Sequence, residues 1–458
     1  MALPTTPAFP RLWALFAATL LAGCATYSPL PLGHPSGADS VASLHVDASA
    51  MPTPKLQRYP FDPTDGLDAT ETAMLAVANS PQLKVRRDQL GIAEAQAFAA
   101  GLLPDPQLNL GADFPKSRAS GLVTGYTLGL SEDLSALLTR HDRKQSAASK
   151  TRQVNLDLLW AEWQTVAKAR LLFDQVRGLR ARHHLLVNEK KALTPLARHV
   201  QAALKNGDLS YAEASAGLNA LSDVEQQLTG VTTRWHKATA DLKLLLGLAP
   251  DAPLDLSGAY YLPHATQTEL ENALASLPRR RPDLLALQAG YQAQDAQLRE
   301  AILAQFPAIT LGFNRARDTG NVVTNGFTLG ITLPLFNRNR GQIAVAKATW
   351  QQLKDAYTTR LLTTRSDMQR IASDIKVLTR QRHKLVAHAR QLDASRANAE
   401  QAWKQHLLDW PAYLAIRSQA LAADMQSLAA RSELARQTIA LQTLLGSTRF
   451  PHVQASSS

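Results

Sequence analysis

Gly125-Tyr126-Thr127-Leu128-Gly129-Leu130 recurs 201 positions later as Gly326-Phe327-Thr328-Leu329-Gly330-Ile331, matching residue type for residue type. Within each stretch, large apolar side chains alternate with Gly or Thr. Successive side chains of a strand point to opposite faces, so this period of two sets one greasy face against one that is small and polar. The same offset holds upstream, where Pro81 meets Pro282, Leu83 meets Leu284, Ala95 meets Ala296, Pro106 meets Pro307, Leu110 meets Leu311 and Gly111 meets Gly312. Downstream, Arg143-Lys144-Gln145 meets Arg340-Gly341-Gln342 after a shorter turn in the second copy, and the offset of 201 is read again at Asp208 and Asp409. A repeat of this length decides an architecture before local reading begins. Each half reads helix, strand, strand, long helix, tight turn, helix.

The alternation extends through four segments. Leu108, Leu110, Tyr126, Leu128 and Leu130 in the first half, and Ile309, Leu311, Phe327, Leu329 and Ile331 in the second, form the apolar face. Asn109, Gly111, Thr127 and Gly129, with Thr310, Gly312, Thr328 and Gly330, form the other. Lipid outside and a wet lumen inside would produce this pattern, and each segment has about the 9–11 residues of a transmembrane strand. Two hairpins of a soluble sheet would alternate in the same way. The helical tracts have a different period. Leu158, Thr165, Leu172, Leu179, Leu186, Leu193 and Val200 recur every seven residues, as do Ile343, Trp350, Tyr357, Thr364, Ile371, Leu378, Leu385, Leu392 and Ala399. Sustained heptads pack helices along their lengths. A helix from Arg143 to Lys205 would run roughly 95 Å at 1.5 Å per residue, and Pro195 within it is expected to remove a hydrogen bond and bend it.

Among 458 residues, 45% are hydrophobic and only 6% aromatic. The net charge of +11 is spread through helical tracts alongside Asp, Glu and Gln, which reads as solvated helix faces and implies no nucleic-acid partner. After the first two dozen residues no apolar run approaches the roughly 18 needed for a membrane-spanning helix. Arg11, the apolar run Leu12 to Leu21, and Leu21-Ala22-Gly23-Cys24 give the charge, apolar core and small-residue cut of a secretory leader, residues 1–23. Cys24 is the sole cysteine. It can make no internal disulfide.

Two hairpins supply about four strands, whereas a closed membrane barrel needs at least about eight, and an open edge in a bilayer leaves backbone groups unsatisfied at several kcal/mol each. Several chains must then share one barrel. Leu21-Ala22-Gly23-Cys24 resembles the bacterial lipobox, which implies acylation at Cys24, and Ala25 in place of Asp favours the outer membrane. Two tandem copies of helix, strand pair, long helix, turn and helix behind such a motif resemble the TolC-like outer-membrane efflux family, from about Thr70 to Gly446. The resemblance implies a mostly α fold with a small β part: a coiled-coil helical periplasmic barrel, and a transmembrane β-barrel shared by a homotrimer. It also implies a passive exit duct with no enzymatic activity, fed by an inner-membrane efflux transporter through a periplasmic adaptor and seated in outer-membrane lipid. Ala100 to Leu108 is similar to members that serve heavy-metal pumps.

The domains expected are a lipid-anchored extended tether over 24–66, a first repeat over 67–248, a linker in the equatorial region over 249–278, a second repeat over 279–446 and a disordered tail over 447–458. The turns Asn206-Gly207-Asp208-Leu209-Ser210 and Leu408-Asp409-Trp410-Pro411 are helix stops and restarts by residue type. By resemblance they form the tunnel's periplasmic tip, where Gly207, Asp208, Leu209, Asp409 and Trp410 would meet the adaptor. Some relatives carry a carboxylate ring just beyond the second turn; Ala412 to Gln419 has no Asp or Glu and contains Arg417. No catalytic, cofactor or metal constellation emerges. His183-His184 points to two helix faces, and His383 and His388 stand five apart, not the three or four that share a face. A periplasmic lipid-anchored coiled-coil adaptor or scaffold would explain the heptads, but not four alternating strands at one offset.

Overall fold

The computed structural model describes residues 27–33, 36–116, 120–258 and 266–446. The leader, Cys24, part of the linker and the tail beyond Gly446 lie outside the described residues. Residues 1–37 and 38–458 form separate units; the described residues of the first are irregular chain, and the second holds every described helix and strand.

Residues 38–66, within the segment 24–66 read as a tether, pack against the body. Three short 3₁₀ turns, Val41–Ser43, Ala48–Ala50 and Pro63–Asp65, and one helical turn, α1 (Pro54–Gln57), follow one another. Met51, Leu56 and Leu67 are buried, so apolar anchors hold the segment where a polar linker would stay loose. It is also tied by backbone bonds: Ala38 donates to the Gly247 carbonyl at 2.9 Å, and Leu67 donates to Asp255 at 3.0 Å.

Helix α2 (Ala69–Asn79) opens with a reciprocal cap in which the Asp68 carboxylate accepts from Glu71 N–H at 2.8 Å and Glu71 accepts from Asp68 N–H at 2.9 Å. Helix α3 (Pro81–Gly101) leads into strands β1 (Gln107–Asp113) and β2 (Gly125–Asp133), then α4 (Ser135–Asn206) and α5 (Tyr211–Leu246). After α6 (Gln267–Arg280) the order repeats as α7 (Pro282–Leu303), β3 (Ile309–Arg317), β4 (Val323–Ile331), α8 (Arg340–Lys404) and α9 (Trp410–Leu445). At 72 residues, α4 is longer than the sequence suggested, about 108 Å, and its helical hydrogen bonding continues on both sides of Pro195.

The four strands make one antiparallel sheet in the order β1-β2-β3-β4. Its register is the internal repeat in physical form: Leu110 pairs with Leu128 and Gly111 with Thr127 in the first hairpin, as Leu311 pairs with Leu329 and Gly312 with Thr328 in the second. The hairpins join through β2 and β3, where Leu130 faces Phe313. β1 and β4 are left as free edges.

Below the sheet the halves interlock. Helix α4 packs along α5 of its own half and α7 of the other. Arginines at its start close the end of α3, Arg140 Nε donating to Gly101 at 3.0 Å and Arg143 Nε to Ala100 at 3.0 Å, which satisfies carbonyls a helix end would otherwise leave bare. Asn339 serves α7 similarly, its amide donating to Ala301 at 2.8 Å. One apolar core gathers α2, α4, α5 and the chain around Leu248–Ala252; a second joins Leu277, Leu284, Met368, Ile371 and Leu441.

Candidate functional site

The sheet turns its apolar face outward with nothing in the chain to cover it. Phe327 is 84% and Leu110 is 73% exposed, and Leu108, Tyr126, Leu128, Leu130, Ile309, Leu311, Leu329 and Ile331 are exposed as well. All ten strand residues expected to face lipid therefore share one bare face, continuous across both hairpins through the register. The opposite face is Asn109, Thr127, Ser131, Thr310, Asn314 and Thr328 with glycines between. A naked apolar sheet face would be an aggregation hazard in water, and two free edges compound it. Among the described residues no helix is long and apolar enough to cross a membrane.

At the far end of the helices lie the two turns, closed by the same device. Gly207 takes a left-handed conformation at φ 83°, and Asp208 N–H reaches back to Ala203 at 2.8 Å. In the second turn His406 takes that place at φ 59°, and Leu407 N–H reaches Ala402 at 2.9 Å. Both are Schellman-type closures. Asp409 then caps α9, its carboxylate accepting from Ala412 N–H at 2.9 Å, where Ser210 precedes α5. The structural equivalent of Asp409 is thus Ser210 and not Asp208: the offset is 199 at the turn against 197 at Arg143 and Arg340, so the second copy carries two more residues along the preceding helix.

Leu209 is half-buried, and Trp410 lies across Gly217 of α5, so close that a Cβ there would stand 3.0 Å from the indole. The bare groups are Tyr211, 81% exposed, and Leu407, 75% exposed. Residue type alone marks neither, since Tyr211 and Leu407 look like ordinary first-turn and last-turn residues of amphipathic helices.

Just above the tips, α9 is locked to α4 by a buried ion pair that sequence reasoning did not find. Arg417 donates to both Glu189 oxygens, Nε at 2.9 Å and Nη2 at 2.7 Å, and Nη1 donates to the Tyr413 hydroxyl at 2.8 Å. Tyr413 in turn stacks on Trp403 at 5.7 Å between centroids. Burial alone would lower the Arg417 guanidinium; its bonds to Glu189 and Tyr413 override that and hold it raised. A pair separated by 228 positions leaves no local signature to read.

The histidines lie where ordinary packing puts them. His183 sits beside Trp235 at 5.2 Å between centroids, and His184 lines a cleft of about 300 Å³ with Arg177, Arg180 and Trp235. Among the described residues no three His, Cys, Asp or Glu side chains converge as metal ligands.

Residues 273–447 match the family model described as "Outer membrane efflux protein", and the described architecture repeats across both halves. Over those residues the chain is similar to the outer membrane efflux proteins. It is 25% identical over 393 residues to "Pyoverdine export outer membrane protein OpmQ" of Pseudomonas putida, covering 79% of this chain and 81% of that one. It is 24% identical over 430 residues to "Multidrug resistance outer membrane protein MdtQ" of Escherichia coli O157:H7, covering 82% and 83%. The Campylobacter jejuni CmeC outer membrane channel superposes with a TM-score of 0.70 at 15% identity over 92% of this chain and 94% of that one. That likeness is one of fold: mostly helical, with the four-stranded sheet at one end.

Proposed function

We propose that three copies of the chain pool their sheets into one outer-membrane barrel and their helices into one periplasmic tunnel, giving a passive exit duct for a tripartite efflux pump. The observation that carries this reading is the outward apolar face bounded by two unpaired edges. Pairing β1 of one copy with β4 of the next satisfies both edges at once. Three four-stranded sheets make about twelve strands, within the roughly 8 to 26 that close membrane barrels. Lipid then covers the apolar face, and the Gly, Thr and Asn face lines the lumen.

Several finer assignments belong to the same reading. Cys24, by its lipobox, carries the diacylglycerol and acyl groups that add a second hold on the outer membrane. The tips dock a periplasmic adaptor, with Gly207, Asp208 and Asp409 shaping the turns and Leu209, Trp410, Tyr211 and Leu407 offering apolar contact. On cargo, the printed names of the curated relatives speak of pyoverdine and of multidrug resistance, which favours organic molecules over the heavy metals suggested by Ala100 to Leu108.

Arginine substitution tests the reading directly. Leu128→Arg or Leu329→Arg puts a charge on the lipid face at a cost of roughly 2–4 kcal/mol near mid-bilayer, whereas Thr127→Arg or Thr328→Arg leaves it wet. The first pair is expected to abolish heat-resistant trimer in outer-membrane fractions and the second pair to preserve it. Equal loss in both pairs would overturn the assignment of faces.

A further inference from the structure

The outward face of β3 reads Ile309, Leu311, Phe313, Arg315, Arg317, so its apolar column ends in two arginines. Register places Arg315 between Leu128 and Asn325, and Arg317 between Tyr126 and Val323. Both sit at the hairpin end of the sheet. Every long helix attaches at the other end, so in the duct proposed above, on which this inference rests, the hairpin end looks out of the cell. A charge on the lipid face is costly at mid-bilayer and nearly free at the interface, so these two positions mark the outer headgroup level.

Their surroundings favour an anionic occupant. Arg317 is fixed in place: Nη2 donates to the Thr124 carbonyl at 3.0 Å, and the guanidinium lies 5.2 Å from the centroid of the Tyr126 ring. Arg315 is exposed. Neither has an ion-pair partner among the described residues. The one acidic residue on the outward strand face, Glu132, is opposite Leu311 toward the other end. Asp318, next along the chain, spends one oxygen on its own turn, accepting from Gly320 and Val322 N–H, each at 2.9 Å. Two side chains two residues apart on one strand face stand about 7 Å apart, and guanidinium forks bind phosphate oxygens in pairs.

We infer that Arg315 and Arg317 form a binding site for the phosphate groups of the phosphorylated glycolipid that fills the outer leaflet of the outer membrane, with the Tyr126, Phe313 and Leu128 surface beneath receiving its acyl chains. Each barrel would carry three such sites, one per copy, at the headgroup level.

The test uses the full-length protein in neutral phospholipid vesicles titrated with lipid A. Binding is read by native mass spectrometry and by the temperature at which the trimer dissociates. Lipid A is expected to bind and to raise that temperature. Arg315→Gln with Arg317→Gln should weaken binding about tenfold, a loss of the order expected for charge-assisted phosphate contacts. Enzymatically dephosphorylated lipid A should bind the wild type as poorly as intact lipid A binds the double variant. Arg338→Gln, near the opposite end of the strands, should change nothing. The proposal fails if the double variant binds intact lipid A like the wild type, or if removing the phosphates has no effect, because the arginines then merely reach for water. It also fails if phosphatidylglycerol binds as tightly as lipid A, since any anionic lipid would then serve. A protein that does not enter the vesicles at all would instead overturn the membrane reading of the strands.

Discussion

Leu172, Leu179, Leu186, Leu193 and Val200 of α4 correspond to Ile371, Leu378, Leu385, Leu392 and Ala399 of α8, each 199 positions on. The first five are all buried; in the second series Leu378, Leu385 and Leu392 are only half-buried. The cause is position rather than sequence. Helix α4 runs among α2, α3, α5, α7 and α9, while α8 packs mainly on α7 and α9, with α6 touching it, among the described residues. Val345, Leu362 and Val377 on α8 are more than half exposed. Two copies of one heptad pattern thus do two jobs. One seam holds the protomer together, and the other is left for a neighbour, which in the proposed trimer is the next copy.

Breaking the interior helix should cost the most. Glu189→Ala strands the Arg417 guanidinium in a buried site and is expected to destabilise the folded protein by about 3–5 kcal/mol, measured by chemical denaturation in detergent. Removing both charges together, as Glu189→Leu with Arg417→Met, should recover much of that loss, because no lone charge is then buried. The contrast on α8 is Asp374→Ala, which removes one of the two partners of Arg370, at 3.3 Å on an exposed surface. That change should cost under about 1 kcal/mol. Comparable losses at both places would mean that α4 is no more interior than α8.

A smaller effect separates the two seams by kind. Leu186 is fully buried, and Leu186→Ala should cost about 2–5 kcal/mol of protomer stability. Its counterpart Leu385 is half-buried, so Leu385→Ala should cost the protomer about 1 kcal/mol or less and lower the temperature of trimer dissociation instead. Melting of the detergent-solubilised protein, followed beside trimer yield on unheated gels, reads the two quantities separately. If Leu385→Ala left trimers untouched, the half-exposed seam would face the lumen or solvent, and another surface would hold the copies together.

Much of this was legible in sequence because the repeat is recorded twice. Strand faces, hairpin partners and heptads each follow from a local period, and the pairing of Gly111 with Thr127 and Gly312 with Thr328 is what an offset of 201 requires. Contacts that no period dictates stayed hidden. The Glu189–Arg417 pair depends on how α9 lies on α4, and the burial of Met51 and Leu56 depends on the surface that α2 and the linker provide. The strand register puts Arg317 on the same face as Leu311, and a charge there contradicts a simple rule of lipid outside. Its meaning emerges only if the hairpin end lies at the headgroup level, as proposed above. The tip was misaligned because matching Asp208 with Asp409 looks natural by residue type, whereas backbone geometry aligns Gly207 with His406.

That last pair carries the smallest expected effect and the most direct test of the corrected alignment. Gly207 and His406 occupy the same left-handed position at the ends of α4 and α8, at φ 83° and 59°. A residue with a Cβ is strained there by roughly 1–2 kcal/mol, and glycine is not. His406→Gly should therefore be stabilising, by about 0.5–1 kcal/mol once the greater freedom of glycine in the unfolded chain is deducted. Gly207→Ala should destabilise by about 1 kcal/mol, and through the backbone alone, because no atom beyond its chain neighbours lies within 4 Å of the Cβ it would add. The two changes thus have opposite signs at equivalent positions. Denaturation midpoints at constant m-value check both, with Leu408→Gly as the control suggested by the uncorrected offset. If Leu408→Gly were the stabilising change and His406→Gly were not, the two turns would not be equivalent as drawn, and the offset at the turn would be 201 instead of 199.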